Sequence, residues 1–487
     1  MDTAAHARER IPSGTPGLDD VLCGGFISGQ TTLVSGGPGT GKTILALQFL
    51  AEGDSGLYVG FEEREVDLRT NAAGLGIDLS DVEILDLSAD GDRFFSTDEY
   101  SIFSPEEVEG DSLLDQIAEA IDGTAPDRLV IDPLTELRSL LPDEYRFRRN
   151  ISSLVNELKS RGITMVCTTQ YASGTGSADR DLQFLGDAAI EIQRATEHRS
   201  LEVTKFRGSD YAGGSHTYRI RGGTGAHVYP KLVPDDHGRE STRERLGSGV
   251  EELDALLGGG IERGSVTVIS GPSGVGKTTV GSLFLVAAAQ RGERAAGYLF
   301  EEIRSDYLHR SAAIDLPVSE LAETGSLVVE DVESLSQSPD EFAHRIQTAV
   351  EEEGVDTVLI DGIAGYRLGL RGESSPMGLT RELHALCRYL KRMGVTVILI
   401  DEVRSITGDL VATDEGISYL ADNIVFLRYV EIDGEIRKVI GVLKKRFGDF
   451  EHTVRELSIT SDGVVVGEKL TGIRGVLTGI PGTTADD

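Results

Sequence analysis

The segment from Ser13, SGTPGLDDVLCGGFISGQTTLVSGGPGTGKT, returns from Ser248 as SGVEELDALLGGGIERGSVTVISGPSGVGKT. Lys42 is matched by Lys277, 235 residues on. The pair Glu62–Glu63 is matched by Glu301–Glu302, and Lys205 with Arg207 by Lys444 with Arg446, both 239 residues on. Nearly constant offsets over so long a stretch mean a duplicated domain, and any fold proposed for one copy must also serve the other. The boundaries expected are a first domain over 1–232, a linker over 233–245 and a second domain over 246–487. Around the join the chain reads KLVPDDHGRESTRER, polar, charged and broken by Pro234 and Gly238.

Within each copy, short apolar runs rich in β-formers alternate with longer helical stretches. Thr31–Val34, Gly56–Phe61, Arg128–Ile131 and Ile163–Cys167 answer to Ser265–Ile269, Ala296–Phe300, Thr357–Ile360 and Val395–Ile400. Continuous apolar strands joined by segments too long for hairpins predict an α/β fold, with a mainly parallel sheet flanked by helices in each domain. Strand-like stretches such as Leu201–Phe206 and Val439–Leu443 are expected to extend each sheet.

The chemistry concentrates at G-x-x-x-x-G-K-[ST], found as Gly36–Thr43 (GGPGTGKT) and Gly271–Thr278 (GPSGVGKT), each after an apolar strand and before a helical run. Such a loop folds its backbone N–H groups around phosphate oxygens, and the following helix adds its positive end. Gly36, Gly37, Gly39, Thr40, Gly41, Lys42 and Thr43 are the expected ATP contacts in the first copy. Gly271, Ser273, Gly274, Val275, Gly276, Lys277 and Thr278 are those in the second. Lys42 and Lys277 should reach the terminal phosphates, and Thr43 and Thr278 should bind Mg²⁺. Asp132 and Asp361 end buried apolar strands and are candidate Mg²⁺ partners; a helix-capping role is the alternative.

Acidic residues number 81 of 487, so one adjacent acidic pair means little, but a pair at the equivalent place in both copies does. Glu62, Glu63, Glu301 and Glu302 follow strands whose ends point into a ligand crevice, where a carboxylate can take a proton from water or a hydroxyl. Lys205, Arg207, Lys444 and Arg446, spaced i and i+2 in strand-like runs, should leave one face. Far in sequence from their own phosphate loops, they suit a contact to a neighbour's γ-phosphate; the alternative is a cross-strand ion pair.

The net charge of −34 disfavours nucleic acid and anionic membranes over most of the surface. Only ten of the 47 basic residues are lysine, and such an acid excess suits high salt, so a halophilic, haloarchaeal source is expected. Cys23, Cys167 and Cys387 form no CxxC pair, the first nine residues are polar, and no run of about 18 apolar residues occurs. A protein of the cytoplasm, without signal peptide or membrane span, is expected.

Together, the entry motif SGTPGLDDVLCGGF, both phosphate loops, FEE at Phe61 and Phe300, VIDPLTEL from Val130 and YVEIDGEIRKVIGVLKKR from Tyr429 resemble the KaiC family of RecA-like P-loop ATPases. The resemblance implies two tandem RecA-like domains, a ring of six subunits with ATP between them, and regulatory protein partners. It assigns the four glutamates as catalytic acids and the four cations as contacts across the subunit interface. It also implies autokinase activity in the second domain. GISYLADNIVFL then places Ser418 and Tyr419 where the family's adjacent phosphoacceptors stand, with Ser418 the expected acceptor. Where the family has glycine after the last cation, Phe447 comes first and Gly448 second. The residues after GVLTGIPG are too few for the long regulatory tail of the clock protein.

A RecA-type recombinase or other DNA motor is the competing reading, and it needs basic loops. The segments Ala172–Asp181 and Arg404–Asp414 are poor in cations. A third reading makes the second phosphate loop an assembly device only.

Overall fold

The computed structural model describes residues 8–88, 105–139, 144–170, 185–194, 198–234, 238, 244–333, 336–369, 376–403, 417–432, 434–471, 473–474 and 482–483. The chain divides into two compact units, Met1–Lys231 and Leu232–Asp487. Arg245–Leu246, at the end of the expected linker, already pairs with Ile261–Glu262 of the second unit. The two loops weighed for DNA contact, 172–181 and 404–414, lie outside the described residues.

The first unit runs β1 (Thr31–Gly36), α1 (Lys42–Ala51), β2 (Gly56–Gly60), α2 (Glu65–Gly74), β3 (Val82–Asp86), α3 (Pro105–Thr124), β4 (Arg128–Asp132), α4 (Leu134–Ser139), α5 (Glu144–Ser160), β5 (Thr164–Gln170), β6 (Ala188–Arg194), β7 (Arg199–Phe206), β8 (Ser215–Arg221) and β9 (Gly225–Tyr229). The second runs β10 (Val266–Gly271), α6 (Lys277–Gln290), β11 (Arg294–Leu299), α7 (Arg304–Ala312), α8 (Val318–Glu323), β12 (Leu327–Asp331), α9 (Pro339–Glu351), β13 (Val355–Asp361), α10 (Ile363–Gly369), α11 (Pro376–Arg392), β14 (Thr396–Glu402), β15 (Asn423–Ile432), β16 (Glu435–Lys445), β17 (Val454–Thr460) and β18 (Gly463–Lys469).

Each unit holds one nine-stranded sheet, ordered β3-β2-β4-β5-β1-β6-β7-β8-β9 and β12-β11-β13-β14-β10-β15-β16-β17-β18. The strands up to β6 and β15 pair in parallel, and the last three of each sheet return as an antiparallel meander. This is the doubled RecA-like P-loop architecture. Most strands outrun their apolar parts: β1 continues through Ser35 and Gly36, and β5 through Thr168 to Gln170, because the ladder bonds main chain whatever the side chain is.

Apolar side chains pack on both faces of each sheet, as parallel strands require. The helix after each phosphate loop lies in the middle of its layer, so it is apolar nearly all round; α6 buries twelve of its fourteen residues. In the second unit Phe300 packs edge-on against Phe342 and Tyr366, with ring centroids 5.2 and 5.6 Å apart. Burying such a ring stabilises by about 1.5–3 kcal/mol, and here it also fixes the turn that begins at Glu301.

Candidate functional site

Sequence places the two phosphate loops at the carboxyl ends of β1 and β10, the central strands, with their helices starting at Lys42 and Lys277. The residue before each helix, Gly41 or Gly276, has φ of 102° or 113°, a left-handed conformation that a side chain would strain. Lys42 Nζ donates to Gly36 O and Gly37 O, both at 3.0 Å. Burial lowers its pKa, opposed by Asp132 and Glu62. Lys277 Nζ donates to Pro272 O at 2.9 Å and lies 3.6 Å from Glu402.

The loops, the strand-end aspartates and the glutamate pairs gather at one edge of each sheet. Asp132 ends β4 beside Gly60 of β2, and Asp361 ends β13 beside Leu299 of β11. Their partners differ. Asp132 accepts hydrogen bonds from Tyr58 Oη at 2.9 Å and from Thr168 Oγ1, while Asp361 accepts from Thr278 Oγ1 at 3.1 Å. Burial pushes the Asp361 carboxyl up to about 6, with the Thr278 bond opposing. A hydroxyl and a carboxylate are hard oxygen donors and fit Mg²⁺. Among the described residues no group of three or more His, Cys, Asp or Glu could hold a metal ion, so a cation here would be completed by phosphate and water.

The glutamates stand in the turn after β2 or β11, not on the strand itself. Glu62 accepts from Gln170 Nε2 at 2.8 Å, and Glu63 from Asn71 Nδ2. Glu302 is held by Arg310, whose Nη2 lies 2.7 Å from Oε2 and Nε 3.2 Å from Oε1. Burial raises the pKa of both Glu62 and Glu301. Asp132 and Glu136 add to this at Glu62, Glu402 adds at Glu301, and Lys42 and Lys277 oppose it. In the second unit a cavity of about 520 Å³ opens here, lined by Lys277, Thr278, Glu301, Glu302, Arg310 and Glu402 among others. That is ample for a nucleotide's phosphates.

Lys205 and Lys444 lie at the other end of the sheet. Lys205 stands beside Ala189, itself beside Leu33, three residues before the end of β1; Lys444 stands beside Ile424, beside Val268 of β10. Three residues of strand are about 10 Å, and both amines point further away, to Gly186 O at 2.6 Å and to Ala421 O at 2.7 Å. Arg207 and Arg446 fall one residue beyond the ends of β7 and β16, and the register shift in each ladder precedes Lys205 and Lys444. Arg446 bonds Asp422 at 3.0 Å. Ser418 is exposed at this same edge, and its carbonyl accepts from Lys444 at 3.0 Å.

The model of the ATPase family KaiC matches residues 11–233 and again 246–471. The chain belongs to the KaiC ATPase family. It is 28% identical over 502 residues to the circadian clock protein KaiC3 of Synechocystis sp., covering all of this chain and 97% of that protein. It is 29% identical to the circadian clock oscillator protein KaiC of Thermostichus vulcanus (97% and 92% covered) and 28% to that of Prochlorococcus marinus strain MIT 9313 (98% and 97%). Membership supports ATP binding by this chain, in a family of ATPases, and disfavours the recombinase reading. Among the described residues no helix is long and apolar enough to cross a membrane.

Several residues around this KaiC-family site, and two lysines at the opposite edge of the sheets, escape a sequence reading. Asn71 and Arg310 share the 239-residue offset of the glutamate pairs, and Gln170 and Glu402 occupy the same register position beside Gly36 and Gly271. Lys159 and Lys391, two of only ten lysines, pair with buried Asp187 and Asp422 at 2.7 and 2.6 Å. The repeat offset of 239 would have found Asn71 and Arg310, whereas Gln170 with Glu402 and Lys159 with Lys391 lie 232 apart and are matched only by their places in the fold.

Proposed function

We propose that this chain is an Mg²⁺-dependent ATPase that assembles into a ring, by family likeness a hexamer, with each ATP bridging two copies, and that its second unit transfers phosphate to Ser418. The observation that carries this reading is the separation of Lys205, Lys444 and Ser418 from their own phosphate loops, across the length of β1 or β10. Groups so placed cannot serve their own nucleotide. A neighbouring copy brings them to it, as cations on the γ-phosphate and as the acceptor hydroxyl.

Lys42 and Lys277 with their loops bind the phosphates, and Thr43, Asp132, Thr278 and Asp361 hold the cation, which offsets charge on the phosphoryl oxygens. Glu62 or Glu63, and Glu301 or Glu302, take the proton from the attacking oxygen. The bond from the γ-phosphorus to the bridging oxygen breaks, a new bond forms to water or to Ser418 Oγ, and ADP leaves with the electron pair. Regulatory protein partners reading the nucleotide or phosphate state belong to this proposal, as do the boundaries 1–232 and 246–487.

Intact-mass and peptide mapping after incubation with Mg-ATP tests the transfer: phosphate is expected on Ser418. An unmodified Ser418 in a protein that demonstrably turns over ATP would leave an ATPase without autokinase function. Light scattering at molar salt with a non-hydrolysable ATP analogue tests the ring; monomer alone would count against it.

A further inference from the structure

Within each pair of glutamates, the two carboxylates are held differently. The first, Glu62 or Glu301, lies toward the end of β5 or β14, where Gln170 or Glu402 meets it. The second, Glu63 or Glu302, is drawn sideways onto the helix that follows, by Asn71 of α2 or Arg310 of α7. In the second unit the tether is two-pronged and charged. Its third nitrogen, Arg310 Nη1, donates to Thr279 Oγ1 at 3.1 Å, next to Thr278 on the phosphate-loop helix. The guanidinium also lies 5.4 Å from the Tyr307 ring centre, and Tyr307 is fully buried and hydrogen-bonded to Ser282 of the same helix at 2.7 Å.

We propose that Arg310 is a positioning residue of the second active site, pinning Glu302 to the phosphate-loop helix through Thr279 and leaving Glu301, which accepts a hydrogen bond from the Gly365 backbone, as the carboxylate of the pair that takes the proton. In the first unit neutral amides hold both carboxylates, Asn71 on Glu63 and Gln170 on Glu62, so the charged selection belongs to the second unit. This inference rests on the proposal that the glutamates are proton acceptors, and it adds which one acts and what selects it. An arginine fork matches a carboxylate in shape and charge, so Glu302 can swing toward the phosphates only by breaking two charge-assisted bonds at once.

The test uses the full chain with Lys42→Ala, so that phosphate release reports the second unit. Glu301→Gln should lower kcat about 100-fold and Glu302→Gln less than about threefold. Arg310→Ala should release Glu302, so that Glu301→Gln combined with Arg310→Ala turns over at least about fivefold faster than Glu301→Gln alone, while KM for ATP stays within about twofold. Arg310→Asn, which copies the first unit's tether, should leave Glu302→Gln mild and guards against a variant that fails to fold. Equal losses from Glu301→Gln and Glu302→Gln, or simple additivity of Arg310→Ala with Glu301→Gln, would overturn the inference. Full turnover in the Glu301→Gln, Glu302→Gln double variant would instead sink the underlying reading of the pair.

Discussion

The two units share strand order, phosphate loop and glutamate turn, and differ in the charges set around that turn. In the first, the polar neighbours of the pair are amides, Gln170 and Asn71. In the second, the same places carry Glu402 and Arg310, a carboxylate and a guanidinium. Strand-end aspartates diverge likewise: Asp132 is drawn toward Tyr58 and Thr168, whereas Asp361 faces Thr278, because the positions of Tyr58 and Thr168 are taken by Gly297 and Ile400. Duplication therefore preserved the backbone that cradles phosphate and let the proton-handling shell drift. Two sites with one binding mode and different chemistry are the expected result.

The sharpest break of that comparison is loss of the loop lysines. Lys42→Ala and Lys277→Ala should each lower turnover in its own unit by about 100-fold or more, since each removes a charge aimed at the transferred phosphoryl group. Phosphate release from the two variants apportions the activity between the units; a Lys277→Ala protein that loses only assembly would restore the reading of the second loop as a structural device.

Smaller, but still large, is the effect expected at the buried aspartates that anchor the start of each central strand. Asp422 accepts from Val266 N, Lys391 and Arg446, and Asp187 from Thr31 N and Lys159. Asp422→Ala strands two cations and should cost about 3–5 kcal/mol. Asp187→Ala strands one and should cost less. Denaturant unfolding followed in the two variants ranks them, and equal losses would show that Arg446 adds nothing to its own unit.

A pH effect should mark the second unit. The Asp361 carboxyl has to lose its proton to hold a cation, and its pKa is raised to about 6. As pH falls through that value the protonated form grows, so Mg²⁺-supported turnover in a Lys42→Ala background should drop toward about tenfold per pH unit below it. A flat profile from pH 7 to 5 would remove Asp361 from the cation site.

Exchanging Gln170→Glu and Glu402→Gln is expected to do least. It trades a hydrogen-bond donor for a repelling charge beside Glu62, and the reverse beside Glu301. It should therefore slow the first unit and speed the second by about threefold each, read as phosphate release with the other unit silenced.

Much of this molecule is legible in the sequence alone. The recurrence of the phosphate loop and glutamates at fixed offsets determined a doubled α/β architecture. Continuous apolar runs located the strands, and the loop pattern located the phosphate cradle, because backbone nests and apolar periodicity are local properties. What tertiary structure decided lies in contacts between residues far apart in the chain. It gave Glu302 rather than Glu301 the Arg310 tether, and it set Gln170 and Glu402 108 and 101 residues from Glu62 and Glu301. It also let different residues fill one role: Arg10 bonds the carbonyls of Leu22 and Gly25, while Lys445, from β16, bonds those of Leu257 and Gly260. A buried carbonyl needs a donor but does not specify which element supplies it, and only the folded chain fixes which side chain arrives.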